Sequence, residues 1–341
     1  MGSEELVVEA GHRAASGKAH EQRGAFAAAA NEYDLALASL AAAAPSELLV
    51  HVLRWRGNAS LQVGGTIEAE TWYRKSQDLA ESLSYVAGQA HALNCEAAVA
   101  QRLGDLDRAE RLYGEAVQRA ARAGEETLQG IIAYNLGVLS SIRGDFDAAA
   151  AHYWTGLSVL ERVGESYQVP NVLNNLGILY SRQGDFERAE EVFQRGLLLA
   201  RSRADELVEG VIQRNRAEML CAMERWDEAD AACERALILA DRRTDPLRRA
   251  EALKTRAVIQ HHGRSFAAAE RTLAEAKRLA GEANDALLVS ELLREVGRLC
   301  AVRGETDRAR AAWHEALEGF VGLGARRDAS EVEAQLAALA A

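Results

Sequence analysis

Alanine occupies positions 29, 69, 109, 149, 189, 229, 269 and 309, eight times at an unbroken spacing of 40 residues. Self-similarity at a period of 20 to 50 residues marks a stack of like supersecondary units, each burying its apolar face against its neighbours. A second register, Gly17, Gly57, Ala97, Gly137, Gly177, Ala217, Ala257 and Gly297, holds only Gly or Ala. Four residues after each periodic alanine stands a large or apolar side chain: Tyr33, Tyr73, Tyr113, Tyr153, Phe193, Cys233, Leu273 and Trp313. Three further on comes a small residue again, from Ala36 and Ser76 through Gly156 and Gly196 to Ala316. Offsets of three and four are one face of an α-helix.

The unit is therefore two helices whose small residues allow close approach. Only 3 prolines and 6% aromatics, with abundant Ala, Leu, Glu and Arg, favour helix almost throughout. No segment shows the period-two alternation of a half-buried strand. Gly104-Asp105, Gly144-Asp145 and Gly184-Asp185 predict the turns inside three units, glycine supplying the left-handed conformation that ends a helix. Pro45, Pro170 and Pro246 are predicted between a second helix and the next first helix, where a missing N–H costs little. The fold expected is all-α: a single solenoid over residues 1–341 with repeats near 4–43, 44–83, 84–123, 124–163, 164–203, 204–243, 244–283 and 284–323. Residues 325–341, with Val332, Leu336 and Leu339 on one side, form a capping helix. The polar, Ala-rich first repeat is expected to fray.

Tyr-Asn-Leu-Gly at 134–137, Asn-Asn-Leu-Gly at 174–177 and the Gly-Asp-Phe turns at 144 and 184 resemble the tetratricopeptide repeat. The resemblance covers nearly the whole chain. The period exceeds the usual 34, as in the variants of kinesin light chains, cell-polarity adaptors and bacterial peptide-sensing or ATP-driven regulators. It implies a right-handed superhelix with the first helices lining a concave groove. Glu96, Arg216 and Arg256 stand where the pattern has Leu. There the first helices are expected either to pack less tightly or to direct charge into the groove.

The resemblance also implies that an Asn two residues before the small position points into the groove and bonds the backbone of an extended peptide. That register holds Asn135, Asn175 and Asn215. An Asn amide donates and accepts, so a ladder of them suits any peptide sequence; the other reading is solvated Asn copied by duplication. Adjacent are Arg54, Asn94, Tyr134, Asn174, Arg214, Lys254 and Arg294, again 40 apart, with Asn171, Arg102 and Arg182 one turn away. Trp55, in the ladder register, is a candidate ligand-facing ring. In repeats two to six, Arg54, Arg102, Arg182 and Arg214 oppose only Glu218, which predicts a locally basic groove in a chain of net charge -11. Such a groove would prefer an acidic segment or a free C-terminal carboxylate. Alternatively these arginines snorkel to solvent or pair with acids of the next helix.

Other functions find less support. The net negative charge disfavours nucleic acid, and no apolar run approaches a membrane span. The acidic N-terminus lacks a secretory or myristoylation signal. Cys95, Cys221, Cys233 and Cys300 form no Cys-x-x-Cys pair and read as reduced thiols of a cytoplasmic protein. His51 and His91 share a register and His261 adjoins His262, but none has metal-site spacing. No phosphate loop, nucleophile elbow or dinucleotide fingerprint occurs, so neither cofactor nor catalysis is expected. The partner expected is a protein or peptide. The chain is then either an adaptor or a sensor module that changes curvature on binding a signalling peptide or small molecule and acts on a separate regulator.

Overall fold

A helix pair stays paired when one member offers no side chain where the other offers a ring. In a computed structural model of the chain, the Tyr73 ring lies where a Cβ on Gly57 would be, 2.5 Å from Cε1, and Tyr153 stands in the same relation to Gly137. Phe193 and Trp313 cover Gly177 and Gly297 in the same way. The two sequence registers, always 16 residues apart, are thus the two sides of one contact. The third register faces main chain. Ser76 Oγ donates to Val50 O at 2.8 Å, and a Cβ on Gly156 would meet Gly130 O.

The structure describes residues 3–165 and 167–340, and among them finds α-helix and no strand. They separate into two compact units, Met1–Val172 and Leu173–Ala341. The N-terminal unit pairs Ser3–Gln22 with Phe26–Leu40, Glu47–Gln62 with Thr66–Ser82, Val86–Arg102 with Leu106–Ala123, and Glu126–Arg143 with Phe146–Arg162. The C-terminal unit pairs Glu206–Ala222 with Trp226–Arg242, Pro246–His262 with Phe266–Glu282, and Ala286–Val302 with Thr306–Gly322. Helix Val169–Gln183, which carries the division between the units, precedes Phe186–Ser202, and Arg326–Ala340 ends the chain. The described residues are those of an all-α helical-repeat solenoid. First helices of successive repeats touch one another within each unit, as Glu47–Gln62 touches Val86–Arg102 and Glu206–Ala222 touches Pro246–His262.

Turns recur every 20 residues. Except in the connection that holds Pro45, the residue at each is left-handed, with φ of +81° at Gly104 and Gly144 and +78° at Gly184. Asp105, Asp145 and Asp185 then cap the second helices, each accepting from the N–H three residues on at 3.0 to 3.2 Å. Pro45 lies in a connection, whereas Pro170 and Pro246 fall inside the first turn of first helices; that turn also needs no N–H, so the same physics places them there. The first repeat is helical from Ser3, with Ala10 and Ala14 buried beside Tyr33. At the other end Ala329 and Val332 of the last helix bury against Trp313 and Phe320, with Leu336 and Leu339 packed alongside.

The departures from the Leu pattern turn away from the first-helix face. Arg216 engages Glu190 with contacts of 2.6 to 3.0 Å, and Arg256 pairs with Glu234 and, at 3.5 Å, Asp230. All three acids belong to the second helix of the repeat preceding their arginine, so these arginines tie layers together. Glu96 is buried beside Arg108 at 3.9 Å, and burial pushes its carboxyl above the usual range.

Candidate functional site

Positions four residues apart on a first helix, repeated every 40, form a surface of side chains from successive helices. Asn135 Nδ2 donates to Asn94 Oδ1 at 3.0 Å in the N-terminal unit. Asn215 Nδ2 donates to Asn174 Oδ1 at 2.8 Å in the C-terminal unit, both residues being buried. Asn174 in turn donates to Asn175 at 3.3 Å. Two of the three predicted ladder residues, Asn135 and Asn215, therefore bond sideways to the residue 41 positions earlier, which ties first helices together and uses part of each amide. Asn135 and Asn175 remain half-buried and reachable from the face. Asn171 is half-buried and donates to Gln168 Oε1 at 3.4 Å. Tyr134 packs its ring against Tyr153, with centroids 6.0 Å apart.

In the C-terminal unit the face sinks into a recess of about 460 Å³ reached from four first helices. Ile178, Met219 and Leu288 give its apolar floor, and Asn215 supplies an amide. Three cations, Arg182, Arg214 and Lys254, stand among four carboxylates, Glu218, Glu251, Asp285 and Glu291. Arg214 contacts Glu218 at 3.3 Å and Glu251 at 3.5 Å; Lys254 contacts Glu291 at 2.6 Å and Glu218 at 3.6 Å. Burial would raise the Glu218 carboxyl, but Lys254 and Arg214 override it and hold it below the usual range. Burial would lower Lys254, but Glu218 and Glu291 override it and hold the ammonium charged. Arg182 is exposed at the edge. The positive surplus expected from the sequence is not found in this recess. That count stopped at the sixth repeat and so left out Glu251, Asp285 and Glu291, which the next two repeats bring against the same cations.

Arg54 and Trp55 belong to the N-terminal unit. The Lys18 ammonium lies 3.8 Å over the Trp55 ring and the Arg54 guanidinium 5.9 Å from it. The His51 ring stacks on Trp55 with centroids 5.5 Å apart and meets Tyr85 edge-on at 5.7 Å. Lys18 and His51 were not among the residues predicted to bind; the one sequence signal for them is the register that His51 shares with His91.

Among the described residues no group of three His, Cys, Asp or Glu side chains could hold a metal ion, and no helix is long and apolar enough to cross a membrane. Cys233 and Cys300 are buried free thiols, Cys233 donating to Ala252 O at 3.2 Å. In the C-terminal recess the first-helix face presents an amide and both signs of charge.

Tetratricopeptide-repeat family models match residues 131–202 and 215–247. The chain therefore carries tetratricopeptide repeats over these residues. No curated protein has a matching sequence. Among solved structures, a Rap protein complexed with competence and sporulation factor is similar over 99% of this chain and 98% of its own, at 12% identity and TM-score 0.67. A Rap conjugation gene regulator in complex with a Phr peptide is similar over 82% and 75%, at 15% identity and TM-score 0.63. A signal-transduction ATPase with a tetratricopeptide-repeat sensor from Pyrococcus horikoshii is similar over 90% of this chain and 47% of its own, at 14% identity and TM-score 0.64. At these identities the likeness is one of fold.

Proposed function

We propose that this chain is a non-catalytic scaffold that holds an extended peptide along its first helices. The observation that carries the reading is the C-terminal recess, where four consecutive first helices converge amide, guanidinium, ammonium and carboxylate groups around an apolar floor. A peptide backbone offers alternating donors and acceptors, which Asn175 and the remaining valences of Asn215 can meet in the C-terminal unit and Asn135 in the N-terminal one. The paired charges give the recess selectivity for side chains of either sign, since a ligand must match them or leave them unpaired. The Rap regulator solved with a Phr peptide supports a peptide ligand. The 40-residue period groups the chain with longer-period tetratricopeptide proteins, and its work is that of a partner-binding adaptor in the cytoplasm.

The test is selection of binders from a random decapeptide display library on the full chain, followed by affinity measurement on Asn175→Ala and Arg182→Glu. Both positions are accessible, so helicity by circular dichroism should be unchanged. Selected peptides should bind each variant at least about tenfold more weakly, the loss of a charged or paired hydrogen bond. Affinity equal to the unsubstituted chain in both would move binding off this face and end the proposal. Similarity to the Rap complex along nearly the whole of both chains favours a second, regulatory reading, in which the ligand changes the scaffold's dimensions. Small-angle scattering with and without a selected peptide separates the two, a constant radius of gyration excluding the second.

A further inference from the structure

The repeat architecture supplies a carboxylate to the cations of one register. In the C-terminal unit, Arg214 meets Glu251 at 3.5 Å, Lys254 meets Glu291 at 2.6 Å, and Arg294 meets Glu331 at 3.1 Å. Each acid lies 37 residues after its cation, on the next helix of the first-helix series. Arg54 occupies the same register in the N-terminal unit, and the residue 37 positions on is His91. Arg54 has no carboxylate at ion-pair distance, and its Nε is buried without a hydrogen-bond partner. Lys18, over the same Trp55 ring, has no carboxylate at ion-pair distance either. Glu21 pulls on both charges from beyond ion-pair range. A second unsatisfied group, His51 Nδ1, is buried nearby, while His51 Nε2 is 3.1 Å from Tyr85 Oη.

We propose that Arg54 and Lys18 form an anion site that takes a carboxylate brought by a ligand, standing where Glu251, Glu291 and Glu331 stand in the other unit. Two cations near one another with no carboxylate at ion-pair distance, Glu21 acting only from further off, cost free energy that a bound carboxylate returns. The guanidinium fork matches a carboxylate bidentately. The Trp55 and Tyr85 rings beside it provide an apolar flank for the group that carries it. His51 and His91 add no competing charge near neutral pH, because burial and the Arg54 charge hold their pKa values at about 4 and about 3. The carboxylate can be a peptide C-terminus or an acidic side chain; only this choice of carrier rests on the peptide-binding reading.

The experiment titrates the full chain, labelled with 15N-tryptophan, and follows the Trp55 indole signal, assigned by its loss in Trp55→Phe. The probes are N-acetylphenylalanine for a terminal carboxylate, N-acetylglutamic acid α-amide for a side-chain carboxylate, N-acetylphenylalanine amide and inorganic phosphate. The two carboxylates should shift the signal saturably, the tighter one identifying the carrier, and the amide should not. Arg54→Gln should weaken binding at least about tenfold and Lys18→Gln about threefold. His91→Glu should abolish it by placing an internal carboxylate in the site, while His91→Gln should not. Equal shifts by acid and amide, a response to phosphate alone, or undiminished binding by His91→Glu would overturn the proposal. These outcomes do not depend on peptide binding in the C-terminal unit, and the exposed Lys18 keeps the test open if Arg54→Gln fails to fold.

Discussion

The two units read the same registers with different residues. At the register of Arg54 the C-terminal unit has Arg214, Lys254 and Arg294, and one turn before it the N-terminal unit has His51 and His91 where the C-terminal unit has Glu251 and Glu291. The C-terminal face therefore neutralises itself, and the N-terminal face does not. Their cores differ as well: the position over the small residue is Tyr33, Tyr73, Tyr113 and Tyr153 in one unit and Phe193, Cys233, Leu273 and Trp313 in the other. A period fixes where a contact falls, while the residues placed there decide how strong it is and whether it is left for a ligand.

The largest expected difference is in the core. Tyr73 is fully buried on Gly57 and donates to Asn58 Oδ1 at 2.8 Å, so Tyr73→Ala should cost about 3 to 5 kcal/mol. Cys233→Ala in the same register should cost about 1 kcal/mol, a sulfur being a smaller loss. Because repeats open locally, hydrogen exchange of each repeat is the appropriate measurement. Equal losses of protection at the two sites would break the comparison.

The face gives the next effect. Lys254→Met strands Glu291 and leaves Glu218 with Arg214 alone, and should cost about 1 to 3 kcal/mol by urea denaturation. Arg54→Met removes no ion pair and should stay within about 0.5 kcal/mol. A comparable loss at Arg54 would mean that the guanidinium already has an anionic partner in the chain.

Acid should separate the units further. The folded pKa values of His51 and His91 lie near 4 and 3 against an ordinary 6.5, so the unfolded chain binds these protons first. Their contribution is full above 6.5 and is lost as pH falls towards those values. Around His51 stand Lys18, Arg54 and Tyr85, and near His91 lies Glu125 at 3.9 Å. Glu218 has a lowered carboxylate pKa, so its contribution is present above the ordinary carboxylate range and disappears only below it. Exchange protection of residues 47–102 should therefore fall between pH 6.5 and 5, with residues 206–222 unchanged there; the following first helix is no control, because burial lowers His261 as well. Loss in both regions together would contradict the assignment.

Much of the fold was legible because small and large side chains repeat strictly in step: Gly57 under Tyr73 and Gly297 under Trp313 can be paired from the sequence alone. The face was less so. Asn135 and Asn215 bond to Asn94 and Asn174, and Lys254 to Glu291, at separations of 41 and 37 residues set by how one repeat is rotated on the next. The period by itself does not contain that rotation. Hence the candidate cations were found but the partners that neutralise them were not, and Lys18 escaped because it belongs to neither ladder register.

The turns give the smallest contrast and the least visible one. The left-handed residue is glycine at 24, 64, 104, 124, 144 and 164 in the N-terminal unit, with Ser84 the exception. In the C-terminal unit glycine holds it at 184, 304 and 324, but Ala204, Glu224, Thr244, Arg264 and Asn284 hold φ between +52° and +57°. A Cβ there crowds the following carbonyl, at about 1 kcal/mol for residues other than Asn. The sequence rule that a helix ends at glycine therefore loses these turns, which persist because the flanking helices leave the chain no other path. Ala204→Gly and Glu224→Gly should each raise stability by up to about 1 kcal/mol, the gain being reduced by glycine's greater freedom in the unfolded chain. Gly104→Ala, at φ +81° with open space around it, should lower stability by about 1 kcal/mol through backbone strain alone. Thermal denaturation of the three variants decides it: a gain in the C-terminal unit and a loss in the N-terminal one from opposite substitutions shows that both units impose the same turn and differ in the residue that makes it.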